Sequence, residues 1–199
     1  MVNTQQLQVW KSQFGKDYTD RNLIDPVQIK PLFKEMLGGL KLETVLEVGC
    51  NRGHNLIAIA DIFKIEPIGI EPNDYARLQA RQKDKRISII NSDIFNIPFK
   101  DNFFDLSFTS CVLIHVSLKD LPKAIRELYR VSRRYILCAE FYNEEEKEIN
   151  YWGHNNLLWK RDFKKHFLDI YPKMKILRSG FYGEEVNCRT DWWLFEKHS

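Results

Sequence analysis

The stretch Glu43-Thr-Val-Leu-Glu47-Val-Gly49-Cys-Asn51-Arg-Gly53-His-Asn55-Leu constrains this chain more than any other. Val45 to Val48 is a short apolar run that reads as a buried strand. Two glycines and an asparagine follow, and Leu56-Ile-Ala-Ile-Ala60 reads as a helix. A strand that enters a helix through a Gly-rich turn lets backbone come close to a ligand and aims the N–H groups of the helix start at it. That is how α/β proteins build a nucleotide site.

The pattern on either side supports that class. Strands are expected at Thr44–Val48, Pro67–Glu71, Ile87–Ile90, Phe104–Thr109 and Tyr135–Glu140. Helices are expected over 53–63, from Pro72-Asn73 to about residue 83, and over Lys119–Ser132, where Leu121, Ile125, Leu128 and Val131 fall at helical spacing. Strands alternating with helices in this way predict a doubly wound, mostly parallel sheet with helices on both faces. After a helix over Lys160–Ile170, the runs Lys175–Tyr182 and Thr190–Glu196 follow with no helix between them, so they pair antiparallel. Upstream, Thr4–Phe14 reads as a helix ended by Gly15, Lys16–Asn22 as a polar turn, and Asp25-Pro26 as the start of a helix that Gly38-Gly39 stops. Pro31 falls inside that helix and predicts a kink near its first turn. Glu144–Glu148 reads as a charged loop. A length of 199 residues predicts one domain.

The glycine spacing narrows the ligand. Nicotinamide and flavin sites use Gly-x-Gly-x-x-Gly. In Gly49-Cys-Asn51-Arg-Gly53 the last glycine comes one residue too early, and an acid, Glu47, stands two before the first. This arrangement resembles motif I of the class I S-adenosylmethionine (SAM)-dependent methyltransferases. Asn51 stands where most members have Gly, and Asn tolerates a left-handed backbone better than other non-glycine residues. Later strand ends extend the resemblance: Glu71, Asn91-Ser-Asp93-Ile94, and Phe104-Asp-Leu-Ser-Phe-Thr109-Ser110, which is similar to motif IV. It implies a Rossmann-like seven-stranded sheet of order 3-2-1-4-5-7-6 with an antiparallel last strand. It also implies roles. Glu71, followed by Pro72, accepts both ribose hydroxyls; Asp93 binds the adenine amino group, and Ile94 packs on the ring. Gly49, Asn51 and Gly53 supply backbone contacts, and Glu47 faces the amino group. Thr109 ends the strand that faces the methyl group. Tyr18 and Arg21 either fold over the SAM carboxylate, which suits Arg, or belong to a surface turn.

A narrower resemblance covers nearly the whole chain. Trp10, Phe14-Gly-Lys-Asp-Tyr18-Thr-Asp-Arg21-Asn22, Leu-Glu-Val-Gly-Cys-Asn51, Val112-Leu-Ile-His115, Glu127-Leu-Tyr-Arg-Val-Ser-Arg-Arg, Tyr151-Trp-Gly-His154 and Lys160-Arg-Asp-Phe163 resemble the pseudaminic acid biosynthesis-associated methylases. That family implies a sugar or sugar-nucleotide acceptor from a nonulosonic acid pathway. On this reading residues 1–40 form a helical lid and 142–172 an acceptor-side insertion.

Methyl transfer from a sulfonium is an in-line displacement, needing an aligned nucleophile, an enclosed site and sometimes a base. His115 stands a few residues past strand four and suits a base, although a lone His in Val-Leu-Ile-His-Val also reads as a satisfied core residue. Tyr142 and His154 are further candidates for catalysis. Glu140 and Arg161 are candidate acceptor contacts, Arg161 for an acidic sugar or phosphate. His54 and His166 read as helix surface. No His/Asp/Glu set has metal-ligand spacing, so no metal is expected.

Composition weighs against other classes. The net charge is +3, and the basic patches Arg81–Arg86 and Lys160–Lys165 are each interrupted by an acid, so no broad surface for RNA is expected. The four cysteines, at 50, 111, 138 and 188, form no Cys-x-x-Cys pair. No apolar run approaches the roughly 20 residues of a membrane span, and the N-terminus lacks the regions of a secretory signal. The expected protein is reduced and cytoplasmic and acts on a small molecule without nucleic acid or membrane. The alternatives are a SAM-binding regulatory or scaffold protein without turnover, and a methyltransferase acting on RNA or protein.

Overall fold

The computed structural model describes residues 3–183 and 189–198. Three helices come first: α1 (Gln5–Lys11), α2 (Gln13–Arg21) and α3 (Pro26–Leu37). The alternating part follows as β1 (Val45–Val48), α4 (His54–Phe63), β2 (Ile68–Ile70), α5 (Asp74–Lys83), β3 (Ser88–Ile90), β4 (Phe104–Ser110), α6 (Leu121–Val131) and β5 (Ser132–Phe141). A hairpin, β6 (Lys147–Tyr151) and β7 (His154–Lys160), leads to α7 (Phe163–Ile170) and then to β8 (Lys175–Tyr182) and β9 (Thr190–Glu196).

The main sheet has seven strands in the order β3-β2-β1-β4-β5-β9-β8. The first five in that order are parallel, and β9 runs antiparallel to both neighbours. With the small hairpin set aside, this is the expected 3-2-1-4-5-7-6 order. The central strands are apolar on both faces because helices cover both. Strand alternation sends Val45, Phe108 and Leu137 towards α3 and α4. It sends Val48, Ile136 and Cys138 into a second core that includes Leu128 of α6 and Phe167 of α7. Cys50 and Cys138 are buried thiols; Cys188 lies outside the described residues.

The N-terminal region departs from expectation. Gly15 does not end a helix. The break comes earlier, at Ser12, whose backbone is extended and whose hydroxyl accepts the Phe14 N–H at 3.3 Å. The helix α2 then runs through Gly15 to Arg21, so Lys16–Asn22 is not a turn. Gly15 is needed for close approach: a Cβ there would stand 1.9 Å from the Trp10 carbonyl oxygen and 2.7 Å from Asn73 Nδ2. The glycine lets α1 and α2 fold tightly over the end of β2.

The segment 142–172 also differs. Lys147 and Glu148 belong to β6, not to a loop, and pair with Lys160 and Trp159. Trp152 and Gly153 form its tip with φ of 51° and 82°. Two successive positive φ values suit a two-residue hairpin turn, and Tyr151 pairs with His154 across it. The helix α7 starts at Phe163, because Asp162 caps it by accepting the Lys165 N–H at 3.0 Å. Among the described residues no helix is long and apolar enough to cross a membrane.

Candidate active site

The turn after β1 is left-handed at Gly49, Asn51 and Gly53, with φ of 75°, 44° and 70°. A Cβ at Gly49 would lie 2.6 Å from Val112 Cγ2. The turn's N–H groups are largely used internally. Gly49 and Cys50 donate to the Ile70 carbonyl, Asn51 to Glu71 Oε2, Arg52 to Asn51 Oδ1, and Gly53 to the Cys50 carbonyl. The turn therefore offers close approach of its backbone, while these donors hold its own shape. Gly53 faces Ile87 and caps α4 outside the cavity. Asn51 does more than replace a glycine. Its Nδ2 donates to Thr19 Oγ1 at 3.0 Å and fastens α2 to the turn.

Above the carboxyl ends of β1, β2, β4 and β5 lies a cavity of about 450 Å³. Glu47, Gly49, Asn51, Glu71 and Pro72 line it. So do Asp93, Ile94, Tyr18 and His115. The helices α1 and α2 roof it, held by Asn73 Nδ2 donating to the Trp10 carbonyl at 2.9 Å and by Arg52 donating to the Thr19 carbonyl at 3.2 Å.

Two buried carboxylates stand at this end. Glu71 accepts the Asn51 N–H with Oε2 at 3.0 Å and the Asn73 N–H with Oε1 at 2.8 Å. Burial raises its pKa to about 6, against the pull of those two donors. A carboxylate has roughly four acceptor sites, so each oxygen keeps room for a further hydroxyl. Glu47 Oε1 accepts from Asn55 Nδ2 at 2.6 Å, but Oε2 is buried without a partner among the described residues. Burial pushes its pKa up to about 8. A buried oxygen of this kind calls for a donor, and the ammonium group of SAM is one. Asp93 Oδ1 accepts the Phe95 N–H at 2.9 Å and caps the turn after β3.

His115 sits in the cavity wall on a short 3-10 turn, Leu113–His115. Its Nδ1 lies 2.7 Å from the Leu157 carbonyl oxygen, so Nδ1 carries the proton and Nε2 keeps a lone pair. Burial lowers its pKa to about 4, and its ring lies 4.5 Å from that of Trp10. Burial raises the pKa of Tyr18, whose ring also meets Trp10, at 5.0 Å.

Other expected site residues lie outside the cavity. Thr109 is buried on the opposite face of β4, since Phe108 and Ser110 face the cavity and neighbours alternate. The same parity at the end of β5 places Phe141 in the lining and Tyr142 outside it. His154 is exposed at the hairpin, with its ring 4.9 Å from Phe14. Arg21 is on the outer face of α2 and stacks on Trp152 at 4.4 Å. Glu140 is fully buried and accepts N–H groups of residues 112–114. Arg161 is buried and donates to Glu146 and to the Val116 carbonyl. His54, expected on the helix surface, is instead buried in the cavity lining, and burial lowers its pKa to about 4. Among the described residues, no group of three or more His, Cys, Asp or Glu is arranged to hold a metal ion. Trp10 and the α3 residues Leu32, Phe33 and Met36, none singled out as a site residue within the expected 1–40 lid, line the cavity.

This geometry can be set beside known proteins. Residues 46–135 match the family model described as a methyltransferase domain. The fold is that of the class I methyltransferases. The chain superposes on a Burkholderia thailandensis 1,6-didemethyltoxoflavin N1-methyltransferase, solved with its acceptor and S-adenosylhomocysteine, with a TM-score of 0.74. That comparison covers 96% of this chain and 88% of the other at 12% identity. Magnesium protoporphyrin IX methyltransferase from Synechocystis PCC 6803, solved with SAM, gives a TM-score of 0.73 at 15% identity over 100% of both chains. By sequence, an uncharacterised methyltransferase of Schizosaccharomyces pombe is 33% identical over 114 residues, which is 50% of this chain and 40% of that protein. Norajmaline N-methyltransferase of Rauvolfia serpentina is 32% identical over 98 residues, 46% of this chain and 33% of that protein. The matched segments span well under half the length of these curated relatives.

Proposed function

We propose that this chain binds SAM along the ends of β1, β2 and β3 and transfers its methyl group to a small-molecule acceptor. The observation that carries the reading is the pair of buried carboxylates, Glu47 and Glu71, facing one cavity on either side of the left-handed turn. Glu71 has free acceptor capacity for two ribose hydroxyls, and Glu47 Oε2 lacks a donor that the amino group supplies. Asp93 and Ile94 stand at the adenine end. Bound SAM would supply an electrophilic methyl: the acceptor atom would bond to it as the C–S bond breaks, sulfur would keep the electron pair, and the acceptor's proton would pass to solvent.

His115 is assigned to orienting the acceptor. Its neutral Nε2 accepts a hydrogen bond inside the cavity, while a pKa near 4 makes it a weak proton acceptor at neutral pH. Of the motifs behind the nonulosonic resemblance, Tyr151–His154 and Lys160–Phe163 do not line the cavity, whereas Trp10, Tyr18, Asn51, Val112 and His115 do. A second reading, ligand binding without methyl transfer, has support in the fold alone: a [4+2]-cyclase superposes with a TM-score of 0.66 at 16% identity.

Calorimetry with SAM and S-adenosylhomocysteine tests binding; no heat at millimolar ligand would sink the reading. Single-turnover transfer of labelled methyl to a metabolite extract separates the two readings. The pH dependence is specific. Glu47 attracts an ammonium by charge only when ionised, and burial pushes its pKa up to about 8. Affinity for S-adenosylhomocysteine should therefore fall by up to about tenfold per pH unit from about pH 8 down to about pH 6. Glu47→Gln should bind more weakly at the upper end and flatten that slope.

A further inference from the structure

Once Glu47, Glu71, Asp93 and Ile94 are assigned to the cofactor, one branch of the cavity is left over. It runs between α3 and the ends of β4, β5 and β9. Leu32, Phe33 and Met36 of α3 line it, together with Ala139 and Phe141 of β5. Ala139, a small side chain, is buried in this lining. Tyr182 closes the far end, and its hydroxyl is hydrogen-bonded to Ser110 and Thr190.

Charge decides what suits this branch. Among the described residues, no Lys or Arg lines the cavity. A nucleotide sugar or an acidic sugar would bring phosphate or carboxylate groups to a wall with no cation. Its hydroxyls would meet Leu, Phe and Met side chains, and the hydroxyls of Tyr182, Ser110 and Thr190 are already paired with one another. Each desolvated hydroxyl without a partner weakens binding by about tenfold. An apolar ring suffers no such loss and gains from leaving water.

We propose that the acceptor is an uncharged, largely apolar ring compound bearing one polar methyl-accepting group, seated against Leu32, Phe33, Met36, Ala139 and Phe141. This rests on the methyltransferase reading above and names the substrate class of that site. It replaces the sugar implied by the narrower family resemblance. The single polar group faces the side of the cavity where His115 stands, and the ring takes the apolar branch.

The test uses the full chain saturated with S-adenosylhomocysteine and two probes, 2-naphthol and UDP-N-acetylglucosamine, followed by calorimetry. The expected result is binding of 2-naphthol and none of the sugar nucleotide. Ala139→Trp, which fills the branch, should weaken 2-naphthol binding by at least about tenfold and leave S-adenosylhomocysteine affinity within about twofold. Leu32→Asn is the second variant and should also weaken 2-naphthol binding, so the test stands if the larger substitution fails to fold. Binding of the sugar nucleotide without 2-naphthol overturns the proposal, and so does 2-naphthol binding that neither variant changes. Failure of S-adenosylhomocysteine to bind counts against the methyltransferase reading; the 2-naphthol titrations, repeated on the chain alone, then still decide the character of the branch.

Discussion

Replacing Glu71 with Ala should weaken binding of SAM and of S-adenosylhomocysteine by roughly 1.5–3 kcal/mol, the range for hydrogen bonds to a charged group. That corresponds to about a 10- to 150-fold rise in Kd. The loss has two sources. The ribose hydroxyls lose a bidentate acceptor, and the N–H groups of Asn51 and Asn73 lose the carboxylate that holds them. Asn51 also anchors Thr19 of α2, and Asn73 anchors the Trp10 carbonyl, so the roof over the cavity loosens at both points. Glu71→Gln keeps one carbonyl oxygen and should fall between the two. Calorimetry read alongside circular dichroism separates a binding loss from unfolding. An unchanged affinity in a folded Glu71→Ala protein would contradict the ribose role.

Glu140→Ala should act on stability and on the acceptor side, not on the cofactor. Glu140 Oε1 accepts the Val112 and Leu113 N–H groups at 3.2 and 3.1 Å, and Oε2 accepts that of Ile114 at 3.2 Å. Alanine would strand three donors beneath the turn that carries His115. A buried donor without an acceptor costs about 1–3 kcal/mol, so the expected loss is at least ~3 kcal/mol in urea unfolding. Methyl transfer should fall with it, while the folded fraction still binds S-adenosylhomocysteine, whose proposed ligands lie on other strands. Burial raises the Glu140 pKa from 4.5 to about 7. The sign is therefore opposite to that of a salt-bridged carboxylate. Its contribution is fully present below about pH 4.5 and is lost as pH rises through about 7. Urea midpoints of wild type and Glu140→Gln across that window should differ in slope.

The sheet was legible because a strand buried on both faces writes itself as a continuous apolar run, as in Val45–Val48 and Phe104–Ser110. Glu71 and Asp93 were legible because they follow such runs at the carboxyl edge. Parity was harder. Thr109 and Ser110 are neighbours, and so are Phe141 and Tyr142; one step of register decides which of each pair meets the cavity. Gly15 looked like a helix end because a glycine used for close approach carries the same letter as one used to stop a helix. Trp10 and the α3 wall depended on how the N-terminal helices dock, and that is set by contacts as remote as Asn73 to Trp10. Arg21 and His154 had suitable chemistry, yet the helix and the hairpin carrying them turn those side chains outward.

The placement of β9 has a consequence for how the chain is made. Of the seven strands of the main sheet this one is synthesised last, yet it lies between β5 and β8. Until Thr190–Glu196 emerges, Tyr135 to Phe141 present an unpaired edge and β8 has no partner in the sheet. Nascent or C-terminally shortened chains thus carry an open, apolar strand edge of the kind that recruits other strands. Premature termination anywhere before residue 190 should yield protein that aggregates, not a smaller soluble domain, even though all the proposed cofactor ligands lie upstream.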